Sequence, residues 1–108
     1  MSDQIELESK AEEALERLKT RCIEKGGLGR LYSLKALAQL GGDWHDTPEV
    51  GKQLRKWNIH TNYLFELGRM YPELVEISSE RRVRSRIVGP SALEIIDEAI
   101  TRVKEDVT

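Results

Sequence analysis

The chain has 108 residues, of which 33% are charged and 39% are hydrophobic, and its formal net charge at pH 7 is −2. This length and composition predict one globular domain, 1–108, and exclude a low-complexity or disordered chain. Its apolar runs are too short for a membrane-spanning helix. The acidic start, MSDQIELESK, lacks the basic and apolar segments of a secretory signal peptide, so we expect a cytoplasmic protein.

The charges are distributed unevenly along the chain. Residues 26–90 contain ten basic and seven acidic residues, a net charge of +3, whereas residues 1–25 carry −2 and residues 91–108 carry −3. Such asymmetry indicates a division of roles between the segments. The acidic end segments are unsuited to binding nucleic acid, so only the middle segment is a candidate for that role.

The N-terminal segment, 3–25, has the spacing of a long amphipathic helix that ends at Gly26 and Gly27. Its apolar stripe is as narrow as a coiled-coil seam and consists of Leu7, Ala11, Ala14, Leu15, Leu18 and Cys22. Cys22 is the only cysteine, which excludes an intrachain disulfide and a cysteine-based zinc site. We interpret it as a small core or interface residue.

Three further helices are predicted in the middle of the chain. RLYSLKALAQL, residues 30–40, has a broad apolar surface and is expected to be buried on more than one side. TPEVGKQLRKW begins with Thr47 as a possible cap and Pro48 at the first helical position. TNYLFELGRMY follows, with Thr61 or Asn62 as its possible cap, and ends before Pro72.

After Pro72 the period becomes alternating, which predicts a β-hairpin from LVEIS and VRSRIV. Neither Asn-Gly nor Asp-Gly is present at the turn, so we expect a loop longer than two residues. In the return strand, Val83, Ser85 and Ile87 would share one face, and Arg84 and Arg86 the other. Arg81 and Arg82 are assigned to the turn, and Gly89 and Pro90 end the hairpin.

The C-terminal segment, 91–106, has a second narrow stripe with the 3-4-3-4 spacing of a heptad seam. Two such stripes are not expected to be fully buried within one small domain, so we predict a homodimer, the commonest symmetric assembly. Its expected interface consists of Leu7, Ala11, Leu15, Leu18, Cys22, Leu93, Ile96, Ile100 and Val103. The alternative to a dimer is that both terminal helices pack on the core of their own chain.

Residues 28–90 resemble a winged helix-turn-helix domain. LYSLKALAQLGG resembles its first helix, TPEVGKQLRKWNIHTNYLFELGRMYPELVEI its two-helix unit and first wing strand, and SSERRVRSRIV its wing. DWHD, residues 43–46, stands where many such domains have a short first strand. The resemblance implies a mainly α fold with a small β-hairpin (α+β), here with long N- and C-terminal helices. The turn Asn58-Ile59-His60 departs from the small-residue run usual before the recognition helix.

The resemblance implies sequence-specific binding of double-stranded DNA. The second helix of the unit enters the major groove by its N-terminal end in such domains, and here it would use His60, Thr61, Asn62, Tyr63, Glu66 and Arg69. The preceding helix would contact phosphates through Lys52, Arg55 and Lys56, and the wing would add Arg81, Arg82, Arg84 and Arg86. A homodimer reading a palindrome would suit a transcriptional regulator, or another site-specific factor, associated with the nucleoid.

Several alternatives remain open from the sequence. The net negative charge also fits a winged helix module that binds protein within a multi-subunit assembly. Glu76 and Glu80 could pair with the wing arginines, or the turn could simply be solvated. Trp57 is predicted to lie in the core, whereas Trp44 could pack under the wing or sit at the surface. No nucleophile motif or phosphate loop is recognisable, so we expect neither enzyme activity nor a cofactor or metal ion.

Overall fold

The structure is a computed structural model that describes residues 2–86 and 90–107, with side chains at positions 10–86 and 92–105. The elements of this part of the chain are α1 (Ser2–Lys25), α2 (Leu28–Leu40), β1 (His45–Asp46), α3 (Thr47–Lys56), α4 (Asn62–Met70), β2 (Val75–Ile77), β3 (Arg82–Ser85) and α5 (Pro90–Val107). The predicted mainly helical α+β class is therefore confirmed. No described helix is both long enough and apolar enough to cross a bilayer.

The three strands form one antiparallel sheet in the order β1-β3-β2. β2 and β3 make the predicted hairpin, and residues 78–81 connect them, a loop longer than two residues as expected. The short β1 lies within DWHD. Val83 and Ser85 share the buried face of β3, because alternate residues of a strand point to the same side. Ile87 and Gly89, predicted for the end of the hairpin, lie outside the described residues.

The helix α2 lies at the centre of the fold and contacts α1, α3, α4, α5 and β3. It is buried on more than one side, as predicted, and its buried residues are Gly29, Leu31, Ser33, Leu34, Ala36, Leu37 and Ala38. The buried hydroxyl of Ser33 donates a hydrogen bond to the Gly29 carbonyl oxygen at 2.8 Å, which satisfies its polar group. The other elements are therefore arranged around a single apolar helix.

The apolar stripes of α1 and α5 are buried within the chain, which corrects the expectation that one small domain could not bury them. α5 packs against both α2 and α1, so the stripes cover each other and the central helix. None of these residues is more than 6% exposed: Ala11, Leu15, Leu18, Cys22, Ile96, Ile100 and Val103. Leu93 is half-buried, and the side chain of Leu7 lies outside the described residues. A homodimer remains a prediction, and it would need a surface other than these stripes.

Cys22 is a buried residue of this core, in agreement with its interpretation from the sequence. Burial raises the pKa of the Cys22 thiol, and the nearby charges of Arg30 and Arg21 only partly oppose that rise. The thiol contacts the Gly27 carbonyl oxygen at 3.4 Å. A buried thiol of raised pKa is a poor nucleophile, which favours a packing role for Cys22.

The two tryptophans lie at the margins of the core. Trp57 is half-buried and packs beside Tyr32, with the ring centroids 5.2 Å apart. Trp57 therefore contacts the core, as predicted, but does not lie inside it. Trp44 is also half-buried, and the guanidinium of Arg84 lies over its ring at 4.6 Å from the centroid. It thus packs against Arg84 of β3, in the strand predicted to form the wing, which is one of the two positions considered for it.

Candidate functional site

The turn between α3 and α4 is a Schellman motif centred on Asn58. Asn58 has a positive φ of 59°, and its N–H donates to the Arg55 carbonyl oxygen at 3.1 Å. The N–H of Ile59 donates to the Leu54 carbonyl oxygen at 3.0 Å, and Ile59 packs against the core. The turn that departs from the usual winged helix sequence is therefore a tightly bonded connection. Asparagine followed by an apolar residue at a helix end is the signal that sequence reasoning missed.

The start of α4 is capped by an imidazole. His60 Nδ1 accepts a hydrogen bond from the backbone N–H of Asn62 at 3.1 Å, whereas Thr61 makes no side-chain capping bond. Thr61 therefore occupies the N-cap position, one of the two predicted, but without a side-chain capping bond, and Asn62 is the first residue of the helix instead of its cap. Asn62 is exposed, and its side chain makes no hydrogen bond within the described part of the chain. His60 and Asn62 consequently form the accessible end of α4.

Two other residues predicted for the recognition helix contact α2. The half-buried ring of Tyr63 lies so close to Gly29 that a Cβ there would be 2.6 Å from Tyr63 Cε2. Glu66 Oε2 lies 3.4 Å from Nη2 of Arg30, an ion pair between partly buried side chains. DNA contact by either residue would break these interactions, so Tyr63 and Glu66 are left out of the candidate surface.

The helix α3 presents three exposed cations, Lys52, Arg55 and Lys56. None of them makes an ion pair or a side-chain hydrogen bond within the described residues, and Arg69 of α4 is likewise exposed and unpaired there. By contrast, Val50, Gly51 and Leu54 are buried, so the helix has one face in the core and one in solvent. The cations predicted to contact phosphates are therefore accessible.

The tip of the β2-β3 hairpin consists of Ser79, Glu80 and Arg81, and it is closed by hydrogen bonds of Ser78, the first of the four connecting residues. The Ser78 N–H donates to the Arg82 carbonyl oxygen at 2.9 Å, and its Oγ accepts from the N–H groups of Glu80 and Arg82 at 3.2 and 3.0 Å. Arg81 has φ 64°, the left-handed position that such loops require. An arginine thus occupies a position that glycine would fill without strain.

The loop between β2 and β3 is attached to both α3 and α4. The hydroxyl of Thr47, at the start of α3, donates to the Arg81 carbonyl oxygen at 2.8 Å. Thr47 therefore binds this loop, and the cap position expected for it belongs to Asp46. The Arg81 guanidinium lies 4.9 Å from the ring centroid of Phe65 in α4. The start of α3, the middle of α4 and the loop of the hairpin consequently meet on one side of the molecule.

The other three arginines of the hairpin segment pair with carboxylates of the same sheet. Arg82 Nε donates to Asp46 Oδ1 at 3.0 Å, across the register that pairs these residues. Arg82 therefore begins β3, which corrects its assignment to the turn. Arg84 Nη2 and Arg86 Nη1 both lie 2.8 Å from Glu76 Oε1. The pairing considered for Glu76 is confirmed, whereas Glu80 makes no ion pair within the described residues.

The cations that the structure leaves accessible differ from those most conspicuous in the sequence. Four arginines between positions 81 and 86 dominate the sequence, but three of them face a carboxylate and the fourth lies over an aromatic ring. Asp46 was not identified beforehand, because its proximity to Arg82 arises from the pairing of β1 with β3. Among the residues that the structure describes, exposed cations without an ion pair are instead present on α3, and Arg69 of α4 is another.

In comparisons with known proteins, no family model matches the chain, no curated protein matches it, and no solved structure matches it. A functional assignment therefore depends on the geometry and charges of this chain alone.

Proposed function

We propose that the protein is a winged helix-turn-helix protein that binds double-stranded DNA. The observation that carries the proposal is the row of exposed, unpaired cations on α3, Lys52, Arg55 and Lys56, beside the accessible start of α4. The order helix, strand, helix, helix, strand, strand from α2 to β3 supports it, as does the sheet order β1-β3-β2. Such a protein would act as a transcriptional regulator or another site-specific DNA-binding factor.

In the proposed complex the two helices have different tasks. Lys52, Arg55 and Lys56 neutralise phosphates, which releases condensed counterions and provides affinity that does not depend on sequence. The N-terminal end of α4 enters the major groove. There Asn62 has the hydrogen-bond donor and acceptor that suit the adenine edge, and His60 lies beside Asn62. Arg69 of α4 and Arg81 of the loop between β2 and β3 would contact flanking phosphates.

Fluorescence anisotropy with a random duplex pool tests the proposal at about 50 and about 200 mM salt. We expect binding that weakens steeply with salt. A triple alanine variant of Lys52, Arg55 and Lys56 should bind about tenfold or more weakly at low salt, with a slope of log Kd against log salt lower by about two to three.

A triple alanine variant of Arg21, Lys25 and Arg102 is the matched control. It removes the same charge from exposed positions of α1 and α5, which are outside the elements proposed to contact DNA. We expect its affinity to stay within about threefold of the parent protein, because none of these three residues is proposed to neutralise a phosphate and salt screens charges that make no direct contact. Equal weakening of both variants, or absence of duplex binding at low salt, would refute the proposal.

A second candidate function is that of a winged helix module that binds protein. The ion pairs of Arg82, Arg84 and Arg86 with Asp46 and Glu76 favour it, because they reduce the positive charge that the wing presents. The net charge of −2 also favours it. Failure of the folded protein to bind any duplex at low salt would select this candidate over DNA binding.

A further inference from the structure

The outer face of the sheet carries one central carboxylate between two arginines. Glu76 of β2 stands directly opposite Arg84 of β3, and Arg86 lies two residues further along the same face. One oxygen of Glu76, Oε1, lies 2.8 Å from a guanidinium nitrogen of each arginine. Cross-strand pairs of opposite charge stabilise antiparallel strands, and here a single carboxylate serves two partners.

Further contacts hold both arginines in place. The Arg84 guanidinium lies over the ring of Trp44 at 4.6 Å from its centroid, and Arg86 Nε donates to the Pro72 carbonyl oxygen at 2.9 Å. The side chains of Arg84 and Arg86 are only 37% and 35% exposed, and that of Glu76 is 21% exposed. A phosphate that approached either arginine would have to compete with a partly buried carboxylate.

The charge of this face is consequently small. Arg82, Arg84 and Arg86 contribute three positive charges, and Asp46 and Glu76 remove two of them. These five side chains together have a net charge of +1, so the wing strand attracts the DNA backbone about as strongly as a single cation would.

We propose that Glu76 is a positioning residue that withholds Arg84 and Arg86 from the DNA backbone, so that the wing strand adds little sequence-independent affinity. This inference rests on the proposed function. Phosphate contacts strengthen binding to every duplex equally, whereas base contacts discriminate between sequences. By keeping Arg84 and Arg86 from adding phosphate contacts, Glu76 increases the share of the binding free energy that depends on the base contacts of α4.

The test compares Glu76→Gln with Glu80→Gln by anisotropy with the random duplex pool over a range of salt concentrations. Both variants remove one negative charge from the same hairpin, but Glu80 is exposed and makes no ion pair within the described residues. We expect Glu76→Gln to bind about tenfold more tightly at low salt, with a salt slope steeper by one to about two. Glu80→Gln should stay within about threefold of the parent protein.

A second comparison separates the release of the arginines from a change in folding. In the parent protein, Arg86→Ala should leave the salt slope unchanged, because Arg86 is already held by Glu76. In the Glu76→Gln background the same substitution should reduce the slope by about one. Thermal unfolding of each variant identifies any loss of folded protein. If the Glu76→Gln variants are not folded, the salt slope of Arg86→Ala in the parent background decides whether Arg86 contacts phosphate in the presence of Glu76.

The outcomes distinguish the two proposals. A parent protein that does not bind duplex at low salt refutes the proposed function. If the parent protein binds but Glu76→Gln gives the same slope as Glu80→Gln, DNA binding stands and the role of Glu76 is overturned. A lower slope for Arg86→Ala in the parent background also overturns it, because Arg86 would then contact phosphate in the presence of Glu76.

Discussion

Gly29 shows how a single residue sets the distance between two helices. It is buried in α2, where the ring of Tyr63 from α4 lies against its backbone. A Cβ at Gly29 would lie 2.6, 2.8 and 2.9 Å from three atoms of that ring. These separations are far below van der Waals contact, and a half-buried ring has little room to move aside. Because α4 carries the proposed base contacts, this residue helps to determine where they lie.

We predict that Gly29→Ala destabilises the protein by about 1–3 kcal/mol, the usual cost of forcing extra volume into a packed site. The cost should appear although alanine is a better helix former than glycine by about 1 kcal/mol. Urea denaturation measures the free energy of unfolding. In a Tyr63→Ala background the same substitution should be neutral or stabilising, because the ring is absent. An equal cost in both backgrounds would contradict this account.

At the scale of the elements, the connection between α3 and α4 depends on the left-handed conformation of Asn58. We predict that Asn58→Ala destabilises the protein by about 1 kcal/mol, because a Cβ disfavours that conformation and asparagine tolerates it better than alanine does. Asn58→Gly should be at least as stable as the parent protein, since glycine adopts positive φ freely. Urea denaturation of the three proteins provides the comparison, and equal stabilities of the alanine and glycine variants would rule out the conformational explanation.

At the scale of the whole molecule, the terminal helices are part of the single-chain core, and Leu18 shows this most directly. Leu18 is fully buried in the stripe of α1. We predict that Leu18→Ala costs about 2–5 kcal/mol of stability, whereas Leu40→Ala, at a residue 38% exposed, costs much less. Because Leu18 is buried within one chain, Leu18→Ala should leave any dependence of the unfolding midpoint on protein concentration unchanged. A dependence on concentration that is present in the parent protein and lost in Leu18→Ala would indicate that the stripe is buried between chains instead.

The pattern of side chains along the chain was sufficient to predict most of the local structure. Leu64 and Leu67 lie three residues apart in the predicted helix TNYLFELGRMY, a spacing that places them on one face because a helix repeats every 3.6 residues, and both are fully buried. The alternation around Val83 placed it on the buried face of β3 and Arg84 on the opposite face, because a strand repeats every two residues. The cations of α3 were chosen from the resemblance to a winged helix-turn-helix domain, and all three of them are exposed.

The partners of these faces were decided only by the tertiary structure. Periodicity shows which residues share a face, but it does not show which element will cover that face. The stripes of α1 and α5 therefore suggested a second chain, although α5 packs on α1 and α2 of its own chain. Likewise Asp46 meets Arg82 only because β1 pairs with β3 across 36 residues of sequence. The sequence by itself determined the helices, the hairpin and their apolar faces, since these depend on neighbouring residues. The packing of distant segments decided which charges remain accessible, since ion pairs form between whichever side chains the fold brings together.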